Sequence, residues 1–280
     1  MRIMNTDIIK SFFLFSFCLI TVVGLSQSHD SAFVKAVYDF KRKPDSTKPN
    51  LIANDLFILE VGSAVTKFYS YNRQLSDSIL NGQFAEHQII GGSSLSADLR
   101  GIPSGSSFVI VRSILKDFFV CSDQLGFVRY KYIDTVAAEM KWTIRPDTAS
   151  FFGYKCTKAT TRFRGRNYIA WFTSELPISS GPYKFCGLPG LIVKIADDKE
   201  NFVFKLASLE LLEQKIPLLL QEKKSTLVTR KEFKKLTLLM INDMDGFAAS
   251  QGYEFHTKSI NGDTNPSPPP KPPYNPIELE

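Results

Sequence analysis

The chain of 280 residues carries 34 lysines and arginines against 28 aspartates and glutamates, a formal net charge of +6 at neutral pH. Hydrophobic residues make up 44% of it, with 23 phenylalanines and 10 tyrosines, so the chain can bury a large core and disorder of its body is excluded. Length alone allows one large β domain or two small ones, and we expect one.

The first 26 residues have the layout of a signal peptide. Arg2 and Lys10 flank a short amino-terminal part, and residues 11–24 form an almost wholly apolar run. That run is shorter than the roughly 20 residues that span a bilayer, so a retained transmembrane anchor is the weaker alternative. We therefore predict cleavage and a mature chain that begins near Gln27 without a membrane anchor. The predicted location is the periplasm or outer envelope of a Gram-negative bacterium, or outside the cell.

Residues 27–260 predict a single, mainly β domain. Apolar and β-branched runs recur with turn residues between them, which favours an antiparallel sheet curved into a half-barrel or a sandwich. The predicted strands cover residues 33–40, 57–61, 65–71, 108–112, 118–121, 128–133, 140–144, 154–161, 168–172, 191–196, 202–212 and 225–228.

One or two helices are predicted within this domain. Thr229 and Glu232 form a capping pattern, and the apolar residues after them have helical spacing, which predicts a helix from about residue 230 to 248. A second, short helix is predicted from Ser76 toward Glu86.

Two stretches have the composition of loops. Residues 91–107 are rich in glycine and serine, which predicts a surface loop. Residues 261–280 contain repeated prolines, and proline is excluded from helix interiors and central strands because it lacks a backbone N–H group. The sequence therefore predicts a Pro-rich, extended C-terminal tail.

Residues 181–192 combine turn residues with the start of an apolar run. Proline fixes φ and glycine is free to take a positive φ, so the stretch predicts a sharp corner that leads into a strand. A hairpin is predicted from residues 191–196 through the polar connection 197–201 into residues 202–206. The residues of this structural motif are Gly181, Pro182, Gly187, Leu188, Pro189, Gly190, Leu191 and Ile192.

The run from Gly187 to Ile192 resembles the signature of the GLPGLI family of exported bacterial proteins. The resemblance covers a family core of about residues 140–206, and residues 274–279 are also similar. The biochemical role of that family is undefined, so the resemblance implies export but no reaction. The flanking matches are Gly153–Thr160, Phe163–Arg166, Ala170–Phe172, Leu176–Ile178 and Gly181–Tyr183.

Three cysteines follow the predicted cleavage point, namely Cys121, Cys156 and Cys186. A disulfide between Cys156 and Cys186 is the preferred pairing, because both lie in the motif region and closing a loop of about 30 residues would stabilise the fold by roughly 3–4 kcal/mol. The alternative is that all three are buried and reduced, since a free cysteine packs as a small hydrophobic residue.

Five residues are candidates for ligand binding, and all lie in the motif region: Arg162, Arg164, Arg166, Trp171 and Tyr183. The arginines form its densest basic patch and suit anionic lipid head groups, envelope polysaccharide or an acidic partner. Alternating arginines are also typical of a strand with one solvated face. The two aromatic residues suit a core position as well as a ligand platform.

Enzyme motifs are absent from the sequence. The three histidines, His29, His87 and His256, lack the spacing of paired zinc ligands. Neither a nucleophile elbow nor a glycine-rich phosphate loop occurs. We therefore expect no catalytic residue, metal or cofactor.

The expected function is that of a non-catalytic envelope protein that binds an apolar or amphipathic ligand, or that docks on an envelope partner. The partner would be a lipid, a polysaccharide or an outer-envelope protein, and export disfavours nucleic acid. A cavity lined by apolar side chains would support ligand binding. One alternative is an interaction module that acts through the Pro-rich tail or a sheet edge. The other is a hydrolase whose two carboxylates come from distant parts of the chain.

Overall fold

A computed structural model of the protein describes residues 30–90, 100–135, 140–218, 224–252 and 274–280. The predicted signal peptide, residues 91–99 of the predicted surface loop and residues 261–273 of the predicted tail lie outside the described residues. The elements are β1 (Ser31–Arg42), β2 (Ala53–Val61), β3 (Val65–Ser70), α1 (Tyr71–Ile90), β4 (Val109–Ser113), β5 (Phe118–Leu125), β6 (Val128–Asp134), β7 (Thr143–Phe151), β8 (Tyr154–Phe163), β9 (Arg166–Thr173), β10 (Leu191–Asp197), β11 (Phe202–Pro217), β12 (Thr226–Leu227), α2 (Arg230–Asn242) and α3 (Met244–Ser250).

The strands of the described residues form one sheet in the order β12-β6-β5-β4-β3-β2-β1-β11-β10-β9-β8-β7. Pairing is antiparallel throughout except for the two-residue β12, which runs parallel to β6. Strands β2 to β6 pair in sequence order, as do β7 to β11, and β1 joins the two series by pairing with both β2 and β11. The predicted mainly β, antiparallel fold is confirmed.

The sheet is strongly curved, and the chain's own connectivity requires it. Ten strand spacings separate β6 from β7, which is about 48 Å in a flat sheet. The chain from Asp134 to Thr143 has nine steps and reaches at most roughly 32 Å. The ends of the sheet also meet directly, because Arg164, in the turn between β8 and β9, lies 2.9 Å from Asp134 of β6. A single sheet curled into an open half-barrel satisfies both observations.

The concave face of the sheet carries the main core. Aromatic rings from neighbouring strands stack there: Phe40 and Phe204 have ring centroids 4.4 Å apart, and Phe57 and Phe68 have centroids 4.7 Å apart. The chain between β9 and β10 fills the concavity and contributes a buried phenylalanine, Phe185, to the same cluster. The half-barrel is therefore filled in part by its own connecting segment.

That segment contains the predicted corner. Tyr183 and Gly187 both have positive φ, 59° and 90°, and an isolated bridge joins Ser180 to Cys186. Gly190 packs against β9 so closely that a Cβ atom there would lie 2.0 Å from the carbonyl oxygen of Thr173. The motif glycines are thus required by backbone conformation at one position and by close approach at another.

The predicted helix near residue 230 is present and is interrupted. Thr229 caps α2 with the reciprocal hydrogen bonds to Glu232 that define a capping box. Asp243 ends α2 and caps α3, so a break separates the two helices within the predicted range. Helix α2 packs on β5 and β6, where Phe233 meets Tyr132 with ring centroids 5.1 Å apart.

Helix α1 starts earlier than the sequence predicts. The Ser70 hydroxyl accepts a hydrogen bond from the backbone N–H of Arg73, as an N-cap does, so the helix begins directly at the end of β3. None of the helices in the described ranges combines the length and apolarity needed to cross a membrane.

The expected bridge between Cys156 and Cys186 is not formed in the structure. Both are free thiols, as is Cys121, and all three are buried. Burial raises the pKa of the Cys121 and Cys186 thiols to about 11. The structure thus has the alternative arrangement, in which each cysteine packs as a small apolar residue.

Candidate functional site

A cavity of about 470 Å³ lies between the concave face of the sheet and α2. One part of its wall is aromatic and comes from β1, β11, α2 and the loop before β4: Phe40, Phe202, Phe204, Phe233 and Phe108. Another part is polar and charged: Tyr132, Tyr183, Lys184, Arg230 and Glu278. The cavity is therefore amphipathic.

Lys184 is the buried centre of the polar wall. Its side chain is 0% exposed, although it belongs to the turn-rich residues 181–192, which we call the motif segment. Its ammonium group donates to Glu278 Oε1 at 2.6 Å, to Asp134 Oδ2 at 2.9 Å and to the hydroxyl of Tyr132 at 3.3 Å. Three acceptors match the three N–H groups of the ammonium, so the buried charge is fully satisfied.

Glu278 binds to this centre from residues 274–280, which we call the docked segment. Its Oε1 accepts from Lys184 and from the hydroxyl of Tyr183, the latter at 2.7 Å. Its Oε2 accepts from Arg230 Nη2 at 2.6 Å and from Arg230 Nε at 3.1 Å. Both carboxylate oxygens are thus held by charge-assisted hydrogen bonds.

These contacts keep both Glu278 and Lys184 in their charged forms. Burial by itself would raise the pKa of Glu278, but the charge and hydrogen bond of Lys184, with Tyr183 and Arg230, lower it to about 2. Burial by itself would lower the pKa of Lys184, but nearby groups, including the carboxylates of Glu278 and Asp134, raise it well above its ordinary value. Both groups are charged at neutral pH.

The docked segment is held by further contacts along its length. Arg166 donates to the carbonyl oxygen of Pro276 at 2.7 Å and to Asn275 Oδ1 at 2.5 Å. The hydroxyl of Tyr168 donates to the carbonyl oxygen of Ile277 at 3.1 Å. The described end of the predicted extended tail therefore lies in a groove of the body.

Four of the five predicted binding residues meet at this site. Arg162 is exposed and pairs with Glu280 at 3.2 Å, Arg164 pairs with Asp134, and Arg166 and Tyr183 hold the docked segment. Trp171 lies elsewhere, packed against Phe151 with ring centroids 5.2 Å apart.

The arginines do not form one solvated face of a strand. Arg164 and Gly165 make the turn between β8 and β9, both with positive φ, so Arg162 and Arg166 lie on different strands. Arg166 is buried and also pairs with Asp197 at 3.3 Å.

Four charged residues of the site were not predicted from the sequence: Asp134, Lys184, Arg230 and Glu278. Only Lys184 carries a local signal, since it stands alone between aromatic residues in an otherwise apolar motif. The other three come from a strand end, a helix start and the docked segment, which only the tertiary fold brings together.

Glu278 is poorly suited to proton transfer. A carboxylate whose pKa lies at about 2 is a poor general acid or base at neutral pH, which argues against Glu278 as half of a hydrolase pair. Within the described ranges, no three histidine, cysteine, aspartate or glutamate residues are grouped as metal ligands.

A second cavity, of about 550 Å³, lies beside α1 and β3–β6. Its wall is basic and rich in hydroxyl groups, with Arg73 and Arg129 both near Gln124 Oε1. Residues 106–108 border both cavities, so this one adjoins the amphipathic cavity.

Comparisons with known proteins give a family match over a short part of the chain. Residues 162–194 match the family model described as a protein of unknown function, Porph_ging. The match covers β9, the motif segment and the start of β10. No curated protein matches the chain.

Among solved structures, two crystal forms of PNGF-II are similar in part. Each has a TM-score of 0.48 and 17% sequence identity, over 73% and 72% of this chain. The chain spans about a third of the length of PNGF-II, 33% and 32% in the two forms.

Acid should release the docked segment. The pKa of Glu278 is lowered from 4.5 to about 2, so its ion pairs stabilise the folded state above about pH 4.5 and lose this effect progressively as the pH falls toward 2. The full effect is about 3 kcal/mol. We expect NMR signals of Ile277 and Leu279 to move toward unbound values over this interval. In a Glu278→Gln variant the same signals should not titrate there, and a wild-type segment that stays bound in acid would contradict the prediction.

Proposed function

We propose that the protein binds an amphipathic small molecule in the cavity between the sheet and α2. The observation that carries this proposal is the division of one cavity wall into an aromatic part and a charged part. A volume of about 470 Å³ lies within the usual range for small-molecule sites, roughly 300–1,000 Å³. The aromatic part would take the apolar portion of the ligand, and the charged part would fix its orientation.

We also infer that the chain is an exported protein of the GLPGLI family. The family match at residues 162–194 contains the run from Gly187 to Ile192 that the resemblance rests on. Export through a cleaved signal peptide, with a mature chain that begins near Gln27, would place the protein in the periplasm, in the outer envelope or outside the cell. There an envelope lipid or a lipid-derived amphiphile is a ligand of suitable chemistry.

The two alternatives have less support. A tail that recruits a partner would have to leave its groove first, because residues 274–280 are bound to the body through Arg166 and Glu278. For a hydrolase, the two carboxylates on Lys184 are held by ion pairs, and the buried carboxyl of Asp123, whose pKa burial raises, has no facing carboxylate partner among the residues that line the cavity except Glu278.

Filling the cavity should abolish binding. Thr237 lines the cavity from α2, whereas Leu239 on the same helix does not. In a Thr237→Trp variant the indole would occupy the space of the ligand. With decanol as the amphipathic probe, we expect the binding affinity to fall at least about tenfold, which corresponds to roughly 1.4 kcal/mol. Calorimetric titration measures this change.

The matched control is Leu239→Trp, which should bind decanol as the wild type does. Native mass spectrometry of protein purified from its own envelope should show a bound small molecule in the wild type and none in Thr237→Trp. Equal binding by both variants would place the ligand outside this cavity.

A further inference from the structure

Glu278 is held as a bound ligand would be. Its donors, Tyr183, Lys184 and Arg230, belong to the motif segment and α2, and Lys184 is fixed independently by Asp134 of β6. Glu278 belongs to the docked segment, which is neither helix nor strand. The body of the protein therefore builds an anion site, and a separate piece of chain fills it.

The charges at the site require an anion at the position of Glu278. Without it, the cations Lys184, Arg230 and Arg164 would share the carboxylate of Asp134, at 2.9, 3.8 and 2.9 Å. An uncompensated charge in a buried position is costly, so this position has to hold a carboxylate or another anion. Asp134 supplies the fixed half of the negative charge, and the docked segment supplies the other half.

The anion site opens into the amphipathic cavity. Tyr183, Lys184 and Arg230 line the same cavity as Phe204 and Phe233. A molecule that placed its anionic group on these donors would therefore direct its apolar part along the aromatic wall.

The docked segment has enough chain to move away. Residues 253–273 separate it from the end of the helical region, and 21 residues can span up to roughly 70 Å. Its departure would not require α3 to unfold.

We propose that Tyr183, Lys184 and Arg230 form a carboxylate-binding site that Glu278 occupies in the ligand-free protein, and that the ligand of the cavity is an apolar monocarboxylate that replaces it. This inference rests on the proposed function and names its ligand class. The docked segment then acts as a tethered competitor. Tethering gives an effective concentration in the millimolar range, so only a ligand with both a carboxylate and an apolar part displaces it.

The test compares decanoate with decanol on three forms of the full chain: wild type, Glu278→Ala and Glu280→Ala. Glu280 is the matched control, because it lies in the same segment but forms an exposed pair with Arg162. We expect Glu278→Ala to bind decanoate at least about tenfold more tightly than wild type. Decanol affinity should be the same in all three forms, and Glu280→Ala should behave as wild type does.

A second measurement uses the wild-type protein alone, in case Glu278→Ala does not fold. Decanoate should move the NMR signals of Ile277 and Leu279 toward unbound values, and decanol should not. If decanol binds but decanoate neither gains affinity in Glu278→Ala nor displaces the segment, the carboxylate assignment is wrong and the proposed function stands. If neither compound binds to any form, the carboxylate assignment and the proposed function are both wrong.

Discussion

A Lys184→Met variant should lose about 3–5 kcal/mol of unfolding free energy, which is the usual cost of removing one partner of a buried ion pair. The change leaves two carboxylates, those of Asp134 and Glu278, without the ammonium that they share. Their side chains are only 2% and 11% exposed, so bulk water compensates little for its loss. Urea denaturation followed by circular dichroism measures the loss.

Two comparisons separate this effect from a general response to losing a lysine. Lys205→Met, at an exposed position of β11, should change the unfolding free energy by no more than about 0.5 kcal/mol. Acid should narrow the gap in unfolding free energy between Lys184→Met and wild type, because protonation of Glu278 removes the ion pair with Lys184 that only the wild type has. A variant as stable as wild type at neutral pH would show that the ion pairs contribute nothing to the fold.

A Gly190→Ala variant should lose about 3 kcal/mol, at the upper end of the range for overpacked positions. The added methyl group would lie 2.0 Å from the carbonyl oxygen of Thr173 and 2.6 Å from its carbon. These are backbone atoms of β9 and cannot rotate away as a side chain could. The variant should therefore separate the motif segment from β9 or fail to fold, which thermal denaturation would detect.

Gly187→Ala is the matched control within the same motif. Gly187 has φ of 90°, so alanine is strained there, but the nearest atoms to its added Cβ would be 3.8 Å away in Trp142. We expect a cost of about 1 kcal/mol from backbone strain alone. If Gly187→Ala were the more damaging of the two, the motif would depend on its turn and not on contact with β9.

Most of the strand pattern was predictable because most strands carry their own signal; β7, which is almost wholly exposed, does not, and its predicted range of 140–144 meets only the start of Thr143–Phe151. Alternation of buried and exposed residues along β1, and the turn residues before β10, are local properties of the sequence. The α2 cap was predictable for the same reason, since Thr229 and Glu232 are three residues apart. The start of α1 was not, because Ser70 ends one element and caps the next.

The site could not be predicted because it consists of charges that are ordinary in their local context. Asp134 ends a strand and Arg230 begins a helix, where charged residues are common. Glu278 lies 94 residues from Lys184 in sequence, and only the curvature of the sheet brings both to one cavity. The spacing of the arginines predicted a basic patch, but it could not show that Arg166 is buried against Asp197.

The position of β1 within the sheet has a consequence for how the protein folds. Val34 pairs with Val61 on one side and with Leu211 on the other, at sequence separations of 27 and 177 residues. The first pairing is a local hairpin, whereas the second must close a long loop before it stabilises anything. Until β11 arrives, one edge of β1 stays open to pairing with other chains. The strand that joins the two halves of the sheet is thus also the point where folding competes with aggregation.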